Sequence, residues 1–190
     1  RHPLVGGVGL GQFGGELRML SQLDELSDGI YPHHAFACAH QISPDGPLEF
    51  GNALLSRHPI VDTRAFALPN PIRHESRGLL YALCATPAGL LPVFVTHLDW
   101  QLHLSHARCE QVRFITDRID ELRDELGSGR LPATVDKAAL PSSELLPAIL
   151  CGDFNAEPDS DEIRYLRGHH ALPKAPALDG DLLRGAFFQD

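Results

Sequence analysis

No apolar run in these 190 residues approaches the ~20 needed to cross a bilayer, which excludes a membrane-spanning helix of ordinary length. The opening Arg1-His2-Pro3 leads into a glycine-rich stretch and not an apolar segment, so a signal peptide is not expected and the chain reads as cytoplasmic. Cysteine is scarce. Cys38, Cys84, Cys109 and Cys151 lie far apart, with no Cys-x-x-Cys and no Cys/His spacing of a zinc site. They read as small buried hydrophobes in a reducing compartment, with a disulfide between strands as the alternative. Positive charge is also in short supply: 16 Lys and Arg stand against 25 Asp and Glu, a net charge of −9. A grip on duplex nucleic acid needs a basic stripe that displaces counterions, and here the arginines are scattered. The charge therefore disfavours a nucleic-acid partner without excluding one.

What is present fits one globular domain over residues 1–190. Hydrophobic residues make up 43% and charged residues 22%, an ordinary balance with enough apolar material for a core. Leu17, Leu20, Leu23 and Leu26 recur every three residues and predict a helix from Gly14 to Gly29. Ala35–Ala39 is a short expected strand, and the prolines in 42–48 mark a loop. Asn52–Ser56 and Ile60–Leu68 flank Arg57-His58-Pro59 and predict a hairpin. Leu79–Thr86 and Leu91–His97 flank Pro87-Ala88-Gly89 and predict a second, apolar at most positions and so buried on both faces. Val112, Ile115, Ile119, Leu122 and Leu126 form one stripe of a helix over Leu104–Leu126, with Asp117, Asp120, Glu121 and Asp124 on its solvated side. Residues 127–144 lack periodicity, Ser160–Arg167 is a short helix stopped by Gly168, and His169-His170 reads as exposed.

Two strand ends carry chemistry. The apolar run Leu145–Leu150 reads as a buried strand and continues into Cys151-Gly152-Asp153-Phe154-Asn155. Residues two apart share a strand face, so Asp153 and Asn155 project together. That pairing suits a hard cation, an oriented water or a phosphate oxygen; an Asx turn closing the strand is the plain alternative. The run Leu91–Val95 ends in Thr96-His97-Leu98, and an imidazole beside an Asp/Asn pair can donate to a phosphoryl oxygen or move a proton. A turn-capping histidine is the alternative there.

These segments, Gly152-Asp153-Phe154-Asn155 and Thr96-His97-Leu98, resemble the endonuclease/exonuclease/phosphatase superfamily. Gly51-Asn52-Ala53-Leu54-Leu55-Ser56-Arg57-His58-Pro59-Ile60, Arg77-Gly78-Leu79-Leu80 and Arg108-x-x-Gln111 look like further stretches of the same family in the same order. The matched region runs from about Gly51 to Tyr165. The resemblance implies an α/β fold, the four-layer αββα sandwich of the DNase-like type. It implies a phosphate-ester substrate and hydrolysis assisted by Mg2+ or Mn2+. Asp153 would orient or deprotonate the attacking water, Asn155 would contact phosphate or water, and both would serve as metal ligands. His97 would bind or protonate the phosphate. Asn52 and Arg77 map close to the site as phosphate-binding residues, with pairing or capping at strand ends as the other reading.

The chain departs from the family at both ends. The family's Gln-Glu pair, whose Glu is the main magnesium ligand, has only a faint counterpart in Val8-Gly9-Leu10-Gly11-Gln12, with Phe13 where the Glu belongs. Glu16 is a displaced stand-in at most. No Ser-Asp-His occurs, and the last residues, from Gly185 to Asp190, look like a strand that should continue. Two functions follow: a nuclease or a small-molecule or lipid phosphodiesterase, towards which the acidity leans, or a non-catalytic or truncated member that binds a partner. Trp100, with Gln101-Leu102-His103, reads as part of a substrate rim.

Overall fold

The computed structural model describes residues 8–13, 16–27, 29–41, 49–71, 75–132, 135, 138, 140–169 and 171–172. The 42–48 loop and the strand expected at the C-terminal end lie outside them, as does His170, while His169 is exposed.

The strongest local signal, two apolar runs around Pro87-Ala88-Gly89, forms as expected. β6 (Gly78–Thr86) and β7 (Gly89–His97) pair antiparallel, and every residue of β6 is buried. β5 (Ile60–Ala67) joins on one side of β6, antiparallel, and β8 (Ile149–Asp153) joins β7 on the other, parallel. A second sheet holds β3 (His33–Gln41) and β4 (Glu49–Ser56), also antiparallel. A separate hairpin pairs β1 (Val8–Phe13) with β2 (Glu16–Ser21), followed by α1 (Gln22–Ser27).

The four-stranded sheet and the β3–β4 sheet pack face to face, with Leu80 of β6 against Ala35 and Ala37 of β3. On the other face of β6 and β7, Leu79, Tyr81, Leu83 and Phe94 meet Val112, Ile115, Ile119 and Leu122 of α2 (Ser105–Gly127). α3 (Asp161–Leu166) closes that layer through Tyr165 and Leu166. Helix, sheet and sheet are thus stacked as the DNase-like α/β sandwich requires, and α1 touches β3 and β4 from its own position in the chain.

Four expectations are corrected. β4 and β5 do not form a hairpin: the short link at Arg57-His58-Pro59, tied by Ser56 Oγ to both the carbonyl and the N–H of His58, carries the chain from one sheet to the other. The helix over Gly14–Gly29 is a strand followed by one short helix. A strict every-third spacing drifts around a 3.6-residue helix and builds no steady stripe, whereas residues 16–21 find backbone partners in 8–13. The Leu145–Leu150 run is not a buried strand. Leu145 makes only an isolated bridge to Leu90, β8 begins at Ile149, and it is the outermost described strand of its sheet, with Ile149 exposed. Of the four cysteines, all unpaired, only Cys84 is buried, while Cys38 and Cys151 are exposed.

Candidate functional site

Parallel pairing of β7 with β8 sets His97 opposite Asp153. Both strands finish at this level, so their last side chains share one end of the sheet. His97 Nε2 lies 4.0 Å from Asp153 Oδ2, adjacent but beyond hydrogen-bond length. Asp153 is largely exposed, whereas His97 is mostly buried. The approach of the two strands depends on Gly152, whose φ of +144° and closeness to the Thr96 carbonyl leave no space for a side chain.

Beyond Asp153 the chain turns back. The Asn155 N–H donates to Asp153 Oδ1 at 2.9 Å, an Asx turn, and Asn155 sits at a positive φ of 47°. Its Nδ2 donates to the Leu98 carbonyl at 3.0 Å, and the Leu98 N–H donates to the Asp153 carbonyl at 2.9 Å. Both readings of the Asp/Asn pair therefore meet in one arrangement. The turn is a structural staple, and it fixes the Asp153 carboxylate beside His97. One N–H of Asn155 Nδ2 is committed to Leu98, which leaves its second N–H and its amide oxygen for a ligand.

Asn52 and Arg77 enter from the opposing sheet and from the entry to β6. Asn52 is buried in β4, and its Nδ2 donates to the Gly78 carbonyl at 2.8 Å; Thr96 Oγ1 donates to the same carbonyl at 3.2 Å. Asn52 thus ties the two sheets together directly behind Arg77. Arg77 is 4% exposed. Its Nη2 donates to Glu75 Oε2 at 3.0 Å and its guanidinium lies over the Phe50 ring at 5.3 Å. Its Nε and Nη1 are buried and have no hydrogen-bond partner among the described residues. Burial pulls the guanidinium below its ordinary range, opposed by the carboxylates of Glu75, Asp99 and Asp153.

His97 belongs to the same electrostatic cluster. Burial lowers its pKa from the ordinary 6.5, and the Arg77 charge lowers it further, against Asp153 and Glu75. The ring is therefore neutral at neutral pH. An unfolded His97 takes a proton near 6.5 and the folded one only at lower pH, so between those values the unfolded chain binds more protons. This contribution to stability should shrink as pH falls from 6.5 towards the folded pKa and stay constant below it. Urea midpoints at pH 7.5 and 5.5 should converge in His97→Gln relative to the parent; an equal spread in both proteins would exclude His97 as the source.

The sequence did not single out Phe50, Glu75 or His40. Phe50 packs its ring 5.6 Å from that of His97, and His40 stacks on Phe50 at 4.9 Å. His40 stands in β3 and Glu75 in the approach to β6, so only the packing of the two sheets brings them to His97. The Arg108-x-x-Gln111 pair also gains a role. Gln111 Oε1 accepts from the Asp99 N–H at 3.0 Å, and Arg108 donates to the carbonyls of Asp99, Gln101 and Leu102. Buried Glu162 of α3 holds Arg108 from behind. The loop after His97 is thereby pinned, with Trp100 and Leu102 exposed on it.

Residues 13–188 match the Endonuclease/Exonuclease/phosphatase family. The chain belongs to that family. Structural relatives agree on the fold. Sphingomyelinase C from Streptomyces griseocarneus aligns with a TM-score of 0.55 at 18% identity, over 81% of this chain and 53% of that one. The human Nocturnin catalytic domain, solved with bound sulfate, gives 0.52 at 16% identity over 76% and 49%. ANGEL2, a 2′,3′-cyclic phosphatase in complex with adenosine-2′,3′-vanadate, gives 0.51 at 16% over 76% and 37%. This family member spans about half the length of these structures or less. No curated protein matches it in sequence.

Members of the family generally use divalent metals. Among the described residues no group of three or more His, Cys, Asp or Glu side chains is gathered closely enough to hold an ion. Asp153 is exposed at the site, and no full ligand set surrounds it among the described residues. Glu16 opens β2 opposite Phe13, and its side chain lies outside the described part. No described helix is long and apolar enough to cross a membrane.

Proposed function

We propose that this chain hydrolyses a phosphate ester at the β7–β8 end, with Asp153, His97, Asn155 and Arg77 as its working groups. The observation that carries this reading is Arg77: a buried guanidinium with two nitrogens unpartnered among the described residues, at the strand ends that bear Asp153 and His97. Leaving buried donors unmet costs on the order of 1–3 kcal/mol, more for a charged group, and an anion at the site would recover it.

The chain's own residues supply the following steps. Arg77 binds and orients the phosphoryl group and stabilises the charge that builds on its oxygens. Asp153 Oδ2 accepts a hydrogen bond from the attacking water and aligns it for in-line attack on phosphorus. His97, neutral at neutral pH, donates from one ring nitrogen to a phosphoryl oxygen. Asn155 keeps Asp153 in place through the Asx turn and offers its amide oxygen. Asn52 holds the strand from which Arg77 departs.

A divalent ion is part of the proposal as the family's habit, with Asp153 and the Asn155 amide oxygen as its first ligands. When bound it would polarise the phosphoryl group. The remaining oxygen donors it needs are not among the described residues, so no step above runs through it. Magnesium or manganese would serve equally by this donor chemistry.

The test is hydrolysis of a chromogenic phosphodiester and a chromogenic phosphomonoester with magnesium, manganese or EDTA. Asp153→Ala should lower turnover by about 10²–10⁴-fold, while losing the Asx-turn acceptor costs only about 1 kcal/mol and leaves the protein folded. Turnover retained in that variant would remove Asp153 from the chemistry. A folded parent without turnover under any metal would favour the second reading, a non-catalytic binding domain.

A further inference from the structure

Arg77 is aimed by a device that neither its own strand nor the strand-end motifs contain. The Glu75 carboxylate is divided between residues of different sheets: Oε2 accepts from Arg77 Nη2 at 3.0 Å and Oε1 faces His40 Nε2 at 3.1 Å. His40 Nδ1 also lies 3.2 Å from the Ser76 carbonyl, so the ring sits against both Glu75 and Ser76. A bulge in β3 sets His40 there. The register slips between Cys38 and His40, which puts His40 opposite Phe50 and stacks their rings. Gly51 permits the slip, because a Cβ at that position would sit 2.1 Å from the Ala37 carbonyl oxygen. Phe50 in turn lies beneath the Arg77 guanidinium and beside His97.

We propose that Glu75, braced by His40, is a positioning residue that fixes the orientation of the Arg77 guanidinium beside His97 and Asp153. The inference rests on the phosphoester reading of the site. Glu75 accepts from Nη2 and Phe50 lies against the face, so the guanidinium is held on two sides. A guanidinium so held loses little freedom when an oxyanion arrives, and preorganisation of that kind appears as affinity.

The sign of the effect separates positioning from simple charge. Glu75 is an anion near an anion site. If it acted only through its field, Glu75→Gln would tighten phosphate binding. If it acts through Arg77, the same variant should weaken it, on the order of tenfold. The experiment measures inorganic phosphate binding by calorimetry, beside the NMR signal of the Arg77 Nε–H, in the parent, Glu75→Gln, His40→Gln, Arg77→Lys and Glu75→Gln/Arg77→Lys. Expected are a slowly exchanging Nε–H in the parent that broadens in Glu75→Gln and, less so, in His40→Gln; weaker phosphate binding in both; and no further weakening when Glu75→Gln is added to Arg77→Lys. An unchanged Nε–H signal with equal or tighter phosphate binding in Glu75→Gln would overturn the proposal. A parent that binds no phosphate would sink the hydrolase reading instead, and the Nε–H signal alone would then decide whether Glu75 positions Arg77. His40→Gln releases the same carboxylate from its other side and gives the answer should Glu75→Gln fail to fold.

Discussion

Gly152→Ala should destabilise the protein by about 3–5 kcal/mol and abolish whatever activity the site has. Two effects combine. A Cβ at residue 152 would lie 1.9 Å from the Thr96 carbonyl oxygen and 2.8 Å from its carbon, both backbone atoms that cannot swing aside. The backbone φ of +144° is also a conformation that side-chain-bearing residues rarely adopt. Relief requires β8 to move away from β7. That motion breaks the pairing of Thr96 with Gly152 and carries Asp153 away from His97. The loss should therefore exceed that of Asp153→Ala in stability and match it in turnover. Urea unfolding with a phosphoester assay checks both. A variant that melts like the parent would show that the two strands do not approach as closely as described.

The same residue explains why the site was legible before the fold was. Gly152-Asp153-Phe154-Asn155 and Thr96-His97-Leu98 are local signals: a glycine where backbones touch, an Asx turn, a polar group where an apolar strand ends. Each is enforced by its own few residues, so it can be read from them. β6, β7, α2 and α3 were legible for the same reason, because apolar periodicity and a flanking glycine or proline settle them locally. Partnership between strands is not local. Nothing in Asn52–Ser56 or Ile60–Leu68 says that the link between them changes sheets, because a short polar connection with a proline serves a hairpin and a crossing equally. Residues 16–21 are set by pairing with 8–13, and leucines at every third position misrepresent that as a helix. The contribution of Phe50, Glu75 and His40 was illegible on the same ground. It exists only once β3–β4 lies on β6–β7. A β-bulge, which aims His40, leaves little trace in composition.

Glu162→Ala should cost about 3–5 kcal/mol, more than any surface change in the chain. Glu162 is fully buried in α3, where it accepts from Ser105 Oγ at 2.9 Å and pairs with Arg108 Nε. Arg108 is 4% exposed. Removing the carboxylate leaves a buried guanidinium without its counter-charge, and that uncompensated charge is far costlier than the net worth of the pair. The pair joins α2 to α3, and the remaining Arg108 donors hold the carbonyls of Asp99, Gln101 and Leu102. Its loss should thus reach the loop that follows His97. A double variant, Arg108→Met with Glu162→Leu, separates the two consequences. It removes both charges and fills the space with apolar atoms, so most of the stability should return. The three carbonyls stay without their donor, so the loop should remain loosened and catalysis impaired. Parent-like stability together with parent-like turnover in the double variant would show that Arg108 serves only the packing of α2 on α3. Restored stability with turnover still reduced would show that the loop carrying Trp100 and Leu102 must be held still for the site to work.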